Sequence, residues 1–233
     1  MRARLAVALA LAAIVAACAA PVSRPVAEQG RRPDGFPDAY YLDAARRGQP
    51  VYEIDARSSS VVIEVRRAGT LEQLGHDHVV VSHDVAGYVA PAANRADLYV
   101  PLDRMVVDER QARAEAHFDG QPPEDAIEGT RGNMLGKLDA ATYPFAVLGV
   151  RGIEKDATGG SSLNATLALK GVAREIRIPA QVASMPDEIS VSGSVTVAQT
   201  SFGIVPYSVL AGALQVRDEV DIRFSIRARR MPL

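Results

Sequence analysis

The chain is short of several structural resources. Cysteine occurs once in 233 residues, so no disulfide can form within the chain and a zinc site built from cysteines is excluded. Tryptophan is absent and aromatics make up only 5%, so a core must come from Val, Ile, Leu and Ala. Neither sign of charge dominates: 26 Lys and Arg face 28 Asp and Glu, for a formal net charge of −2. Without a basic excess to hold phosphate backbones, nucleic acid is not an expected partner. The one long hydrophobic run, residues 5–20, is too short for an ordinary transmembrane helix. The remaining balance, 48% hydrophobic and 23% charged, is that of a globular protein with one domain or two small ones.

Arg2 and Arg4 precede the hydrophobic run, which is the n-region and h-region order of a signal peptide. The run contains Val15-Ala16-Ala17-Cys18, and small residues before a cysteine with an aliphatic residue ahead of them resemble the bacterial lipobox. That resemblance implies cleavage after Ala17, acylation of Cys18, and a lipoprotein of the cell envelope facing the periplasm. Acyl chains hold a protein to a bilayer at about 0.8 kcal/mol per buried methylene without spanning it. Ala19 stands where an Asp would resemble an inner-membrane retention signal, which favours the outer membrane. The alternative is a plain secretory signal cleaved near Ala17-Cys18-Ala19-Ala20, with Cys18 lost or free. Losing residues 1–17 removes Arg2 and Arg4 and leaves 24 basic and 28 acidic side chains.

Residues 18–50 are punctuated by Pro21, Pro25, Pro33, Pro37 and Pro50, with Gly30, Gly35 and Gly48 between them. This composition predicts a linker, a loose tether behind the acylated cysteine. Tyr40, Tyr41 and Leu42 could instead dock as a short helix. The folded domain is expected over residues 51–233.

From Val51 onward the dominant period is two. One face of successive segments carries Val61, Ile63 and Val65, then Leu98, Val100 and Leu102. Leu163, Ala165, Leu167 and Leu169 follow, then Ile176, Ile178, Ala180 and Val182. The last segments carry Ile189, Val191, Val195 and Val197, then Val220, Ile222, Phe224 and Ile226. Alternate residues point to opposite faces of a strand, so each segment has a dry face and a wet one. With further strands near residues 79–89 and 144–153, about eight are predicted. Turns such as Lys170-Gly171 and Pro186-Asp187 are short, which predicts antiparallel pairing. Closing the sheet into a barrel buries the dry face and removes exposed edges. Pro179, on a wet-face position, predicts an edge or bulge. Residues 124–138 break the pattern: Pro122-Pro123 followed by Glu124 and Asp125 signals a helix start, weakened by Gly129 and Gly132. A short helix over a barrel mouth is expected.

The ordered motifs resemble the YceI-like family. They are Val51-Tyr-Glu-Ile-Asp55, Ser58 to Val65, Asn133-Met-Leu135 before Tyr143-Pro-Phe145, and Leu167-Ala-Leu-Lys-Gly171 with Arg174 and Pro179. Thr200-Ser-Phe-Gly-Ile204 and Val216-Arg-Asp-Glu-Val-Asp-Ile222 complete the set. The resemblance implies an all-β fold: an elongated, lipocalin-like antiparallel barrel of eight strands with one short helical insertion. It also implies an interior that holds an isoprenoid, a quinone or another apolar chain. The residues expected to line that interior are Ile63, Val65, Leu98, Val100, Leu102, Leu167, Leu169, Ile176, Ile178, Val195, Val197, Ile222 and Phe224. Small residues on the same faces (Ala165, Ala180 and Gly193) would leave room for a chain. An eight-stranded barrel can equally be filled by its own side chains.

The chain departs from the family pattern at Gly75-His76-Asp77-His78, with His83-Asp84 shortly after. On a strand His76 and His78 would share a face. Together with His83 they are candidate metal ligands, which would make the protein a metal-binding or redox-linked one. The other readings are a pH-sensitive latch and imidazoles hydrogen-bonded to loop backbone. His117, beside Phe118, is expected to be partly buried. No G-x-S-x-G elbow or glycine-rich phosphate loop is present, so no enzyme is predicted and no cofactor is certain.

Overall fold

The structure, a computed structural model, describes residues 31–155 and 159–232. The predicted signal peptide and Cys18 lie outside the described residues. The alternating segments form strands β1 (Tyr52–Ile54), β2 (Ser60–Val65), β3 (His78–Ser82), β4 (Ala86–Ala90), β5 (Arg95–Pro101) and β6 (Val106–Val107). After them come β7 (Phe145–Lys155), β8 (Ser161–Leu169), β9 (Val172–Ser184), β10 (Glu188–Ala198) and β11 (Glu219–Arg230). Among the described residues eight of these close an antiparallel barrel in the order β1, β4, β5, β7, β8, β9, β10, β11 and back to β1. The predicted eight-stranded lipocalin-like barrel is therefore the observed fold. Arg67–Ala68, Ser208–Val209 and Leu214–Val216 form a separate three-stranded sheet.

Strand β11 is the branch point. One edge pairs with β10 from Glu219 to Arg229. The other edge divides: Ala228, Arg229 and Arg230 pair with β1, whereas the stretch from Asp221 to Ser225 pairs with β2. The break is made locally. Asp55 accepts the Arg57 amide and the Ser58 hydroxyl over a 3-10 turn, and Ser59 Oγ accepts the Arg227 amide at 3.0 Å. From β2 the sheet continues through β3 to β6. This flap widens one end of the barrel.

The β8–β9 hairpin turns at Lys170-Gly171, both with positive φ (52° and 72°), the type I′ geometry that suits twisted strands. Pro179 lies opposite Ser162 of β8, and pairing of β9 with β10 begins only at Ala180. A residue without an N–H thus stands at the seam where a neighbouring strand departs, as an edge proline should. The room expected at Gly193 is already filled. A Cβ there would meet Pro179 O at 2.3 Å and Phe224 Cζ at 2.8 Å, so the glycine admits close strand approach and an aromatic ring rather than a ligand.

The wide end is covered by helix α3 (Glu124–Lys137), with Glu124 and Asp125 in its first turn and Lys137 in its last, each favourable toward the helix dipole. It sits where the helix was expected. Ile127, Met134, Leu135 and Leu138 pack over Val80, Leu102, Met105 and Val107, yet no residue of the helix is fully buried. Helix α2 (Arg110–Glu115) covers Val79 and Val81 of β3. His117, which follows α2 with a positive φ of 56°, is exposed rather than partly buried; its neighbour Phe118 takes the buried place beside Val79 and Val81.

Part of the stretch read as a linker is folded. Residues Asp38–Arg46 form helix α1, which buries Tyr41 and Ala44 against Val51, Tyr88 and Ala90. The Tyr41 and Tyr88 rings stack at 5.1 Å. Proline and glycine content pointed to a tether, but Tyr40, Tyr41 and Leu42 dock as the alternative short helix, anchored by the large apolar area that the buried Tyr41 ring removes from water.

Candidate functional site

Among the described residues, two cavities are found in the barrel. The first, about 240 Å³, lies within the closed part. The second, about 390 Å³, lies between the flap, α3 and the loop around Phe202. All thirteen residues expected to line an interior do line one. Leu98, Val100, Ile176, Ile178, Val195 and Phe224 face the first cavity. Ile63, Val65, Leu102, Leu169 and Val197 face the second. Leu167 and Ile222 line both and so stand between the two spaces. Val182, expected on the dry face, borders the first cavity but is 36% exposed, because β9 has run past β8 by then and pairs only with β10.

The two cavities differ in chemistry. The first is walled almost wholly by aliphatic side chains, with Arg95 and Ser184 among its few polar neighbours. The second adds His78, Thr130, Asn133, Lys137 and Gln199 to an apolar wall. An apolar chamber carrying a few convergent polar groups is the usual form of a small-molecule site.

His78 is held by a buried relay. Strand β3 opens at His78, and the β3–β6 register places Asp108, the residue after β6, beside it. The Asp108 amide donates to Val79 O at 2.7 Å, and the Val79 amide donates back to Asp108 Oδ1 at 3.1 Å. The other carboxylate oxygen, Oδ2, lies 2.6 Å from His78 Nδ1. Arg113, only 2% exposed, donates through Nη1 to Asp108 Oδ1 at 2.6 Å. Its remaining donors reach the carbonyls of Asp77, Asp119 and Gly120. Burial pushes the Asp108 carboxyl up, but the His78 ring, the Val79 amide and Arg113 together hold it below the usual carboxylate range. An ionised Asp108 accepts the Nδ1 proton of His78, so Nε2 is the ring nitrogen left free of the relay, and it carries a lone pair when the ring is neutral. Nε2 faces Thr130 Oγ1 at 3.4 Å, long for a hydrogen bond.

The three histidines do not form the expected ligand set. His76 precedes β3 and is exposed, with its ring 6.3 Å from that of His78 at 77°. Alternation on a common strand face fails because the strand begins only at His78. His83 Nε2 pairs with Glu109 Oε2 at 2.8 Å on the surface. Among the described residues no group of three or more His, Cys, Asp or Glu is placed to hold a metal ion. Sequence reasoning missed Asp108, Arg113 and Thr130. The only local signal was a charged pair, Asp108-Glu109, directly after two valines.

A family model, the YceI-like domain, matches residues 52–228. Several solved structures share the fold, among them the following two. The chain is similar to BcnA of Burkholderia cenocepacia at 17% identity and a TM-score of 0.52, covering 75% of this chain and 98% of that one. It is similar to a polyisoprenoid binding domain from Saccharophagus degradans implicated in plant cell wall breakdown, at 17% identity and a TM-score of 0.53, covering 77% and 98%. No curated protein sequence matches the chain. With the match spanning most of the chain from the first barrel strand into the last, this protein belongs to the YceI-like domain family.

Proposed function

We propose that the barrel is a binding module for a long apolar chain, an isoprenoid, a quinone or a fatty chain, and works without catalysis. The observation that carries this is the first cavity, whose wall is built from the aliphatic faces of successive strands. Burying a chain there contributes about 25 cal/mol per Å² of apolar surface removed from water. The ligand of the Saccharophagus degradans domain, a polyisoprenoid by its description, is of the same class. We further read the protein as an envelope lipoprotein facing the periplasm, anchored through Cys18 and more at home in the outer than the inner membrane. Such an anchor keeps a carrier beside the lipid it would load.

The test is mass spectrometry of an organic extract from gently purified protein, with binding of an added polyprenol and an added quinone measured in parallel. Recovery of a chain lipid, or saturable binding of either probe, is expected. An empty extract and no binding of either probe would sink the reading.

A further inference from the structure

The polar end of the second cavity asks for a ligand with two different ends. Every strong hydrogen bond of the His78–Asp108–Arg113 relay is directed away from the cavity: Asp108 takes Nδ1, and Arg113 is consumed by Asp108 and three backbone carbonyls. What the relay leaves facing the cavity is His78 Nε2, whose protein neighbour is Thr130 Oγ1 at 3.4 Å. In the neutral ring this half-buried nitrogen is an acceptor, held in one orientation and poorly partnered, and a hydroxyl donor matches it. A carboxylate or ether offers only acceptors and would leave it unpaired. The same cavity shares Leu167 and Ile222 with the neighbouring one, whose wall is aliphatic.

We propose that His78 Nε2 accepts a hydrogen bond from a hydroxyl at the head of the bound chain, so that the barrel selects a chain alcohol or a prenylated phenol. The head sits beneath α3, and the tail passes Leu167 and Ile222 into the first cavity. Asp108 and Arg113 are positioning residues that set the ring. The inference deepens the carrier reading and rests on it.

The experiment compares four probes of equal chain length on the full protein: geranylgeraniol, its methyl ether, the parent hydrocarbon and a prenylated hydroquinone. The alcohol or the hydroquinone is expected to bind about five- to tenfold tighter than the ether or hydrocarbon, as one net hydrogen bond provides. Which of the two binds tighter tells the alcohol source from the phenol source. In His78→Leu that preference disappears while the hydrocarbon still binds. Because His78→Leu strands Asp108 and can unfold the flap, side-chain 15N NMR of the wild-type protein supplies a second measurement. The His78 Nε2 resonance is expected to move on adding alcohol or hydroquinone and to stay fixed with the ether. Equal affinity for all four probes, or an Nε2 signal indifferent to the hydroxyl, overturns the head-group assignment and leaves the carrier reading standing. No binding of any probe overturns both.

Discussion

Tyr41 donates its hydroxyl to Asp97 Oδ2 across 2.6 Å, tying α1 to strand β5 from 56 residues away. Asp97 is also held by Arg95 at 2.8 Å and Arg151 at 2.6 Å, so the bond joins an ionic cluster centred on the buried Asp97 carboxylate. Tyr41→Phe is expected to cost about 1.5–3 kcal/mol, the range for a hydrogen bond to a charged group, read from urea unfolding. Burial first, and the Asp97 bond second, raise the Tyr41 phenol above its ordinary value. Its contribution is therefore complete below about pH 10 and is lost as pH rises beyond that value. The difference in stability between wild type and Tyr41→Phe should shrink in that alkaline window; a gap that stays constant there refutes the linkage.

Leu167 and Ile222 line both cavities. A bulky ring in that passage separates long ligands from short ones. Leu167→Trp is expected to weaken binding of a twenty-carbon prenol at least about tenfold, a loss of about 1.4 kcal/mol, while a chain short enough for one cavity keeps its affinity. Calorimetric titration with both chains checks it, and equal losses for the two would show that the cavities do not act in series.

Asp108 titrates below the ordinary carboxylate value, so its stabilisation is present above about pH 4 and is lost as pH falls through the depressed folded value. Asp108→Asn should flatten the fall in urea midpoint as pH drops below about 4, while lowering stability near neutrality because the Arg113 charge is left buried without its partner. An unchanged acid slope in the variant would contradict this assignment.

Gly132 and Gly136 lie within α3, and an added Cβ at either meets nothing within 4 Å. Each glycine costs a helix about 0.8–1 kcal/mol relative to alanine. The double replacement Gly132→Ala, Gly136→Ala should raise the melting temperature. If α3 must lift to admit a chain, the same variant should take up ligand more slowly with equilibrium affinity little changed, which stopped-flow fluorescence of a labelled chain would register.

Cys18→Ser tests the anchor. Cell fractionation is expected to find the unaltered protein in the membrane fraction and the variant released as a soluble periplasmic protein. Identical fractions would argue for the plain secretory signal.

Strand identity was legible because it is local: alternation of aliphatic and polar residues within a segment decides which side chains turn inward. That is why all thirteen expected lining residues do face a cavity. The α3 start signal and the Lys170-Gly171 turn are local in the same sense. The His78 environment was not legible, since its partner Asp108 lies 30 residues away and no spacing rule brings an aspartate after β6 beside the first residue of β3. Gly193 was misread for the same reason: a small residue signals room or close approach equally well until the facing strand and ring are placed.

The amino-acid order alone thus settled the aliphatic interior, the antiparallel succession of strands, the helical cap and the family, all carried by short-range periodicity and ordered motifs. Tertiary structure decided that β11 divides between two partners, that the two interior cavities share Leu167 and Ile222, and that one half-buried imidazole is held in a relay while its neighbours face water. These depend on register between segments far apart in the chain, and register is set when the whole barrel closes.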